Sequence, residues 1–456
     1  MSLKSHHALN SVTTPATAKE TILQLLSNLA NPKEIDLYLK RFVNAGENRF
    51  AIIKVGGAIL DNDLDNLCAS LAFLQQIGLV PIIVHGAGPQ LNLQLEKAGV
   101  ESHFIDGQRV TSPQVLGFAR KVFIEQNLKL SNRLQSLGVK TAPFNSGVFI
   151  ATPSSDEQLG LVGEVGQVVL DAISESVKVG AIPILSSIAE TKSGQILNIN
   201  ADVATNQLAV AINPYKIIFL TETGGILDQN DKIISSINLV TDYRKLIEQP
   251  WLNGGMKLKL KQIAQILSQL SATTSVSITT PSHLAKELFT HKGSGTLIRR
   301  GESIMIHDDI ETIKAGKLKS LLESGFDKAL DADYFVNTAI SKAYITYCYR
   351  AAAIVTNETE VPYLDKFVVA EEAKGEGLGK TLWAKLCQQT PALFWRASTD
   401  NPINDFYFNH SHGCYKSKQW NVFWRGLDDF QQIQSCVEFA LNKQSTLCLQ
   451  QNSSKN

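Results

Sequence analysis

Apolar and polar positions follow two rhythms along this chain. Short apolar runs bounded by glycine, proline or polar residues predict strands at 50–55, 80–85, 146–150, 181–185, 215–220, 275–279 and 295–299. Between most of them apolar residues recur at helical spacing, which predicts helices at 64–77, 90–98, 113–137, 201–211 and 256–270. This alternation predicts an α/β fold, an αβα sandwich with a mostly parallel sheet and helices on both faces. Upstream, Ile22, Leu23, Leu25, Leu26 and Leu29 predict a helix at 17–30. Asn31-Pro32-Lys33-Glu34 then supplies an N-cap, an N1 proline and an N3 glutamate for a second helix carrying Ile35, Leu39, Phe42 and Val43. These two helices either pack on the core or form an oligomer contact.

At 301–309 the pattern passes to another unit. A helix at 312–324, strands at 344–349, 351–356 and 366–370, a helix at 380–388 and a strand at 392–396 predict a second, smaller α/β domain. Residues 444–456, rich in Ser, Gln and Asn, predict a disordered tail. The division expected is therefore a helical arm at 1–46, a first domain at 47–302, a second at 303–443 and a tail at 444–456. A chain of 456 residues exceeds one ordinary core, which agrees.

Charge narrows the partners. Forty-three basic residues balance 43 acidic ones, so nothing draws the chain generally to nucleic acid or an anionic membrane. Phosphate binding must then come from local geometry. The six cysteines form no C-x-x-C pair and read as thiols of a reducing compartment. No apolar stretch approaches a membrane span, and the first twenty residues lack an export signal, so a cytoplasmic protein is expected.

Local geometry for phosphate is present three times. The strand at 50–55 runs into Gly56-Gly57, and the strand at 80–85 into Gly86-Ala87-Gly88-Pro89. Glycine lets backbone N–H groups approach an anion, and the helix start behind adds partial positive charge. Beyond the carboxyl ends of such strands is where ligands of these sheets collect. Lys54, at the lip of the first turn, is either a phosphoryl ligand or a solvated loop lysine. Leu197-Asn198-Ile199-Asn200-Ala201-Asp202 sets two amides and a carboxylate before a helix, as a lysine organiser or an N-cap cluster. Asn253-Gly254-Gly255-Met256-Lys257-Leu258-Lys259 offers further lysines at a helix start. Thr221-Glu222-Thr223-Gly224-Gly225 suits an adenine nucleotide, and Gly107-Gln108-Arg109 supplies an arginine able to grip a carboxylate with both arms.

Taken together over 50–300, these motifs resemble the amino acid kinase family, and within it the N-acetylglutamate kinases. The resemblance implies phosphorylation of a carboxylate by Mg-ATP, with the metal carried by ATP and no protein ligands to it. It implies that Lys54 and Lys259 neutralise the moving phosphoryl group, with Lys257 the competing candidate, while Asp202 organises both lysines. Gly56, Gly57, Gly86 and Gly88 become backbone donors around phosphates and substrate; Arg109 and Asn198 hold the acetylated amino acid. The segment 287–296 resembles the arginine-binding stretch of arginine-sensitive members, which implies roles for Glu287 and Gly293; as local structure it is a helix end with a glycine stop.

The third turn, Lys374-Gly375-Glu376-Gly377-Leu378-Gly379-Lys380, has the spacing of the acyl-CoA turn of GCN5-related N-acetyltransferases, with lysine where arginine or glutamine is usual. Its flanks, Val361 to Val369, Leu393-Phe394-Trp395-Arg396, Asn401 to Phe408 and Lys418 to Trp424, resemble the acetyltransferase domain of N-acetylglutamate synthases over 305–440. The resemblance implies that Phe367, Val368, Val369, Lys374, Gly377, Gly379 and Lys380 bind acetyl-CoA. It assigns glutamate to Lys328, Lys366 and Arg396, sets Asn401 and Tyr407 beside the reacting centre, and makes Tyr407 the acid for the departing thiolate. The expectation is a homo-oligomeric enzyme, a tetramer like the fused bacterial forms. It acetylates glutamate, phosphorylates the N-acetylglutamate formed and answers to arginine. The competing expectation is a synthase whose kinase-like part is silent and only senses arginine.

Overall fold

Strands Ala51–Val55 and Lys216–Leu220 lie side by side in the middle of an eight-stranded sheet. The computed structural model describes residues 35, 38–40, 42, 50–105, 107–271, 273–290, 293–374 and 377–448. The chain divides into two compact units: Met1–Ile237 with Gln249–Ile298, and Asn238–Glu248 with Arg299–Asn456.

In the first unit the sheet runs in the order Ser236–Asn238, Thr296–Arg299, Ser275–Thr279, Lys216–Leu220, Ala51–Val55, Ile82–His85, Ile182–Ser186, Thr141–Phe144. The five strands from Ser275–Thr279 to Ile182–Ser186, and the edge strand Thr141–Phe144, pair in parallel. Covered on both faces, such strands are mostly apolar, and every residue of Lys216–Leu220 and Ile82–His85 is buried, Lys216 and His85 included. Register sets Lys54 opposite Phe219 on one side and Val84 on the other. Both glycine turns therefore leave the same edge of the sheet. Helices Gly57–Asn62, Gly88–Lys97 and Ala201–Ile212 start there, and Leu64–Gln76, Pro113–Ser136 and Gly254–Gln269 complete the main helical cover.

The sequence expectation at 146–150 needs correction. Thr141–Phe144 enters the main sheet, whereas Phe149–Pro153 joins a separate four-stranded sheet with Gly163–Val168, Ile188–Glu190 and Ile196–Asn198. Pro143 masks the first of these in the sequence; it is tolerated because the strand lies at a sheet edge. Glycines at 163 and 166 hide Gly163–Val168 in the same way. The helix expected at 17–30 lies outside the described residues. Of the helix after it, Ile35, Tyr38 and Phe42 are buried, and Phe42 packs edge-on against Phe289 at 5.8 Å.

The second unit is built on a seven-stranded sheet ordered Ile304–His307, Ile340–Thr346, Ala351–Thr356, Tyr363–Val369, Leu393–Ser398, Trp420–Arg425, Gly413–Lys416. Its one parallel pair, Tyr363–Val369 with Leu393–Ser398, is joined in register only at Tyr363 and Phe394. Beyond that point the two strands part. Helix Leu378–Gln389 packs over this sheet, and Phe430–Asn442 buries Cys436, Val437 and Ala440 against it. The tail expectation is corrected at its start, where Leu447–Cys448 forms a short strand antiparallel to Ala329–Leu330; 449–456 lie outside the described residues. Composition misled there because two paired residues leave no periodic signal. Among the described residues no helix is long and apolar enough to cross a membrane.

Candidate active sites

The first unit holds a cavity of 390 Å³ at the carboxyl edge of its sheet. Lys54, Gly57, Gly86, Gly88, Arg109, Asn198 and Asp202 all line it. The two glycine turns touch at its floor. A Cβ on Gly57 would stand 2.7 Å from both Gln90 Oε1 and Pro89 Cδ, so glycine is required by close approach. The Gln90 amide donates to the Gly57 carbonyl at 2.7 Å and ties the turns together. A Cβ on Gly88 would meet nothing within 4 Å, which leaves its backbone open to a ligand. A Cβ on Gly56 would lie 3.8 Å from the Leu220 carbonyl and one on Gly86 3.4 Å from Ala201 Cβ.

Charge collects on the far wall. Asp202 opens helix Ala201–Ile212, where its N–H donates to the capping Asn200 Oδ1 at 2.7 Å. Its carboxylate meets the Lys54 ammonium at 2.8 Å, with the two side chains 19% and 14% exposed. Burial pushes the Asp202 carboxyl up, yet the Lys54 and Lys259 ammoniums outweigh it and hold the group below the usual carboxylate range. Burial, then Lys54, push the Lys259 ammonium down, and Asp202 opposes them. Lys259 also lies over the Phe219 ring at 5.4 Å. Of the two candidate lysines, Lys259 is the one whose charge acts on Asp202; Lys257 sits half-buried nearer the helix start. The chemistry available is neutralisation of an anionic group held over two ammoniums that share one carboxylate.

Opposite this wall, Arg109 is 8% exposed and stacked 4.5 Å from the Phe104 ring. Its guanidinium donates to Ser102 Oγ at 2.5 Å and to Asn92 Oδ1. Asn198 donates to Thr111 Oγ1 at 3.1 Å, and that hydroxyl donates to the Arg109 carbonyl at 2.9 Å. Sequence reasoning missed Asn92, Ser102 and Thr111. Asn92 had a signal, since it lies one helical turn past Gly88, and Thr111 stands two residues beyond Arg109; Ser102 is joined to the site only through folding.

At the distant segment, Glu287 is 4% exposed and engaged within its own unit. One carboxylate oxygen accepts from Ser277 Oγ at 2.8 Å; the other accepts from the Ser294 and Gly295 amides at 2.9 and 3.1 Å. Gly293, at φ +61°, passes so close that a Cβ there would fall 2.6 Å from that second oxygen. Helix Leu284–Phe289 and strand Thr296–Arg299 flank this loop; the helix already ends at Thr290, whose backbone is extended, so Gly293 is not the expected glycine stop but a turn beyond it.

In the second unit the third glycine turn lies between the end of strand Tyr363–Val369 and helix Leu378–Gln389. Gly377 takes φ +77° as the residue before the helix, and the first helical amides have no partners within it. Gly375 and Glu376 lie outside the described residues. Gly379 sits against Val369, where a Cβ would come to 3.3 Å from Val369 Cγ2. Lys374 pairs with Glu371 on the surface, and Lys380 is exposed. Phe367 contacts the Trp383 ring at 5.6 Å and the Tyr407 ring at 6.4 Å, which brings the strand and Tyr407 into one cluster. Tyr407 is 5% exposed, and burial holds its phenol well above its ordinary value, hence protonated. Asn401 serves a turn: its Oδ1 accepts from the Ile403 amide at 3.2 Å.

The cations expected to bind glutamate do not all meet. Lys366 is 5% exposed, and its ammonium donates to Asp365 Oδ2 at 2.6 Å, an internal carboxylate unforeseen in the sequence. Neighbours in a strand ordinarily face opposite ways, but the register shifts between Ile354 and Val355, with Lys366 opposite the former and Leu364 opposite the latter. Asp365 is thus the extra residue of a bulge that turns it toward Lys366. Arg396 donates to the Ala440 carbonyl at 2.5 Å, stacks 4.2 Å from the Trp420 ring, and acts on the charge of Lys366. Lys443, also unforeseen, acts on Lys366 too and is held by Glu358 at 2.5 Å. Lys328 is exposed beside strand Ala329–Leu330.

Residues 49–279 match the model of the amino acid kinase family, and residues 305–443 match the N-acetyltransferase domain of N-acetylglutamate synthase. The chain is 50% identical to an acetylglutamate kinase of Xanthomonas campestris pv. campestris over 92% of its own length and 100% of the relative's. It is 30% identical to a mitochondrial N-acetylglutamate synthase of Danio rerio, covering 92% of this chain and 79% of that one. In fold it is similar to an N-acetylglutamate synthase of Neisseria gonorrhoeae solved with coenzyme A and N-acetylglutamate, at a TM-score of 0.62 and 17% identity over 87% of this chain and 98% of the other.

Proposed function

The chain belongs to the amino acid kinase family and carries an N-acetyltransferase domain behind the kinase domain; from that premise we propose that it performs two consecutive reactions on glutamate. It is a transferase of both kinds, an acetylglutamate kinase and an amino-acid N-acetyltransferase, with ATP and acetyl-CoA as substrates. In the second unit the glutamate amine attacks the thioester carbonyl of acetyl-CoA, leaving N-acetylglutamate and CoA. In the first unit the γ-carboxylate of N-acetylglutamate attacks the terminal phosphorus of ATP, leaving an acyl phosphate and ADP.

The observation that carries this reading is the charged wall of the first cavity. Phosphoryl transfer needs positioning and neutralisation more than covalent help. Lys54, in contact with Asp202, and Lys259, whose charge acts on the same carboxylate, supply a neutralising pair, with magnesium carried in by ATP. Arg109, oriented by Asn92 and Ser102, and Asn198, oriented by Thr111, suit the acetylated amino acid on the opposite wall. In the second unit, the acyl-CoA pyrophosphate suits the free amides at the start of helix Leu378–Gln389. Tyr407, protonated by burial, suits the thiolate.

A silent, arginine-sensing kinase-like domain is the competing reading, and the complete charge set of Lys54, Asp202 and Lys259 disfavours it. The test follows CoA and ADP separately in one preparation. The unaltered enzyme forms CoA from acetyl-CoA and glutamate, and ADP from N-acetylglutamate and Mg-ATP. Lys259→Ala abolishes ADP formation and retains CoA release. Loss of both activities in a folded variant defeats the separate-site reading, and an unaltered enzyme that forms no ADP establishes the silent one.

A further inference from the structure

The match to the N-acetyltransferase domain ends at residue 443, yet the chain beyond it is built into the same unit. Leu447–Cys448 pairs with Ala329–Leu330, the Asp331 amide donates to the Thr446 carbonyl at 3.0 Å, and Leu447 packs on the unit's core. At the head of this short strand, the Thr446 hydroxyl accepts a hydrogen bond from the Lys366 ammonium at 2.7 Å. The other short bond of that ammonium goes to Asp365 Oδ2 at 2.6 Å. An ammonium has three N–H groups. Thr446 and Asp365 set the direction of two; the third has no short bond, with the Asp365 carbonyl at 3.5 Å and the Tyr334 ring centroid at 5.0 Å from the ammonium. A lysine side chain is otherwise free to rotate about four bonds, so an oxygen held by a strand and one held by a bulge together remove that freedom.

We propose that Thr446 is a positioning residue of the acetyltransferase, holding the Lys366 ammonium so that its remaining N–H is directed at a carboxylate of the amino-acid substrate. The proposal rests on the assignment of Lys366 and Arg396 to glutamate. The same terminal stretch serves the second cation, because the Ala440 carbonyl, in the last turn of helix Phe430–Asn442, accepts from Arg396 at 2.5 Å. Carbonyls of a last helical turn lack partners within the helix and favour a cation. The stretch 440–446 therefore holds both groups, Arg396 through Ala440 and Lys366 through Thr446.

Thr446→Val removes the hydroxyl at nearly constant shape, and Thr446→Ser keeps it; both are made in the full-length chain. CoA release is measured against glutamate and against acetyl-CoA, with ADP formation from N-acetylglutamate as an internal control. The expected result for Thr446→Val is a KM for glutamate raised roughly tenfold or more. Its KM for acetyl-CoA and its kinase rate stay unchanged, and Thr446→Ser restores the parent KM. A glutamate KM unchanged in Thr446→Val overturns the proposal. So does a parallel loss of kcat, both KM values and thermal midpoint, which marks a strand that only holds the fold. Absence of glutamate-dependent CoA release from the unaltered enzyme is a separate result, and it removes the underlying assignment itself.

Discussion

Replacing Asp202 by asparagine keeps the shape of the side chain and deletes the one negative charge between two ammoniums. The carboxylate lies 2.8 Å from Lys54 with both groups more than four-fifths covered, so solvent screens the pair only weakly. A hydrogen bond between charged groups contributes about 1.5–3 kcal/mol, and losing it where the phosphoryl group moves lowers kcat roughly ten- to a hundredfold. A second effect falls on pH. Burial and Lys54 already hold the Lys259 ammonium down, and Asp202 is the group that opposes them. Without Asp202 the ammonium releases its proton at lower pH, so the alkaline fall of kinase activity moves to lower pH in Asp202→Asn. Stability follows the carboxylate itself, whose folded value is depressed. Its contribution is in place above the unfolded carboxylate value of about 3.9 and is lost as pH falls through the folded value. The assay is ADP formation from N-acetylglutamate between about pH 6 and pH 10, chosen to span the lysine limb, with CoA release followed in the same samples. An Asp202→Asn enzyme with the parent kcat and the parent alkaline limb refutes the organising role of Asp202.

Two further outcomes are expected. Tyr407→Phe lowers CoA release roughly ten- to a thousandfold, as loss of a general acid does, and leaves ADP formation intact; an unchanged rate removes Tyr407 from that role. Feedback by arginine through the Glu287 loop predicts heat on titrating arginine into the full-length protein and slower ADP formation in its presence. Glu287→Gln abolishes both, because it removes the negative charge that Ser277, Ser294 and Gly295 hold in place. No heat with millimolar arginine ends the idea of feedback through this loop.

Much of the fold was legible in the chain. Buried parallel strands are near-continuous apolar runs, so Ala51–Val55, Ile82–His85 and Lys216–Leu220 declared themselves within a residue or two despite Lys54, His85 and Lys216. The glycines at 56, 57, 86 and 88 marked the edge where the cavity lies, although close approach requires glycine only at Gly57, where a Cβ would crowd Gln90 and Pro89 of the second turn. Thr141–Phe144 and Gly163–Val168 were illegible because proline and glycine interrupt their patterns while edge position and neighbours supply the pairing.

Residue identity by itself determined that the chain has three glycine turns suited to phosphate, two in the first α/β unit and one in the second, and cations suited to phosphate and carboxylate. The tertiary structure alone decided who stands beside whom. Asp202 meets Lys54 across 148 residues because parallel strands and the helix start end at one edge. Thr446 meets Lys366, and Asp365 turns inward, because a short strand and a bulge bring them there. Periodicity reports what a single element buries, whereas hydrogen bonds between distant side chains depend on packing and register that no local pattern carries.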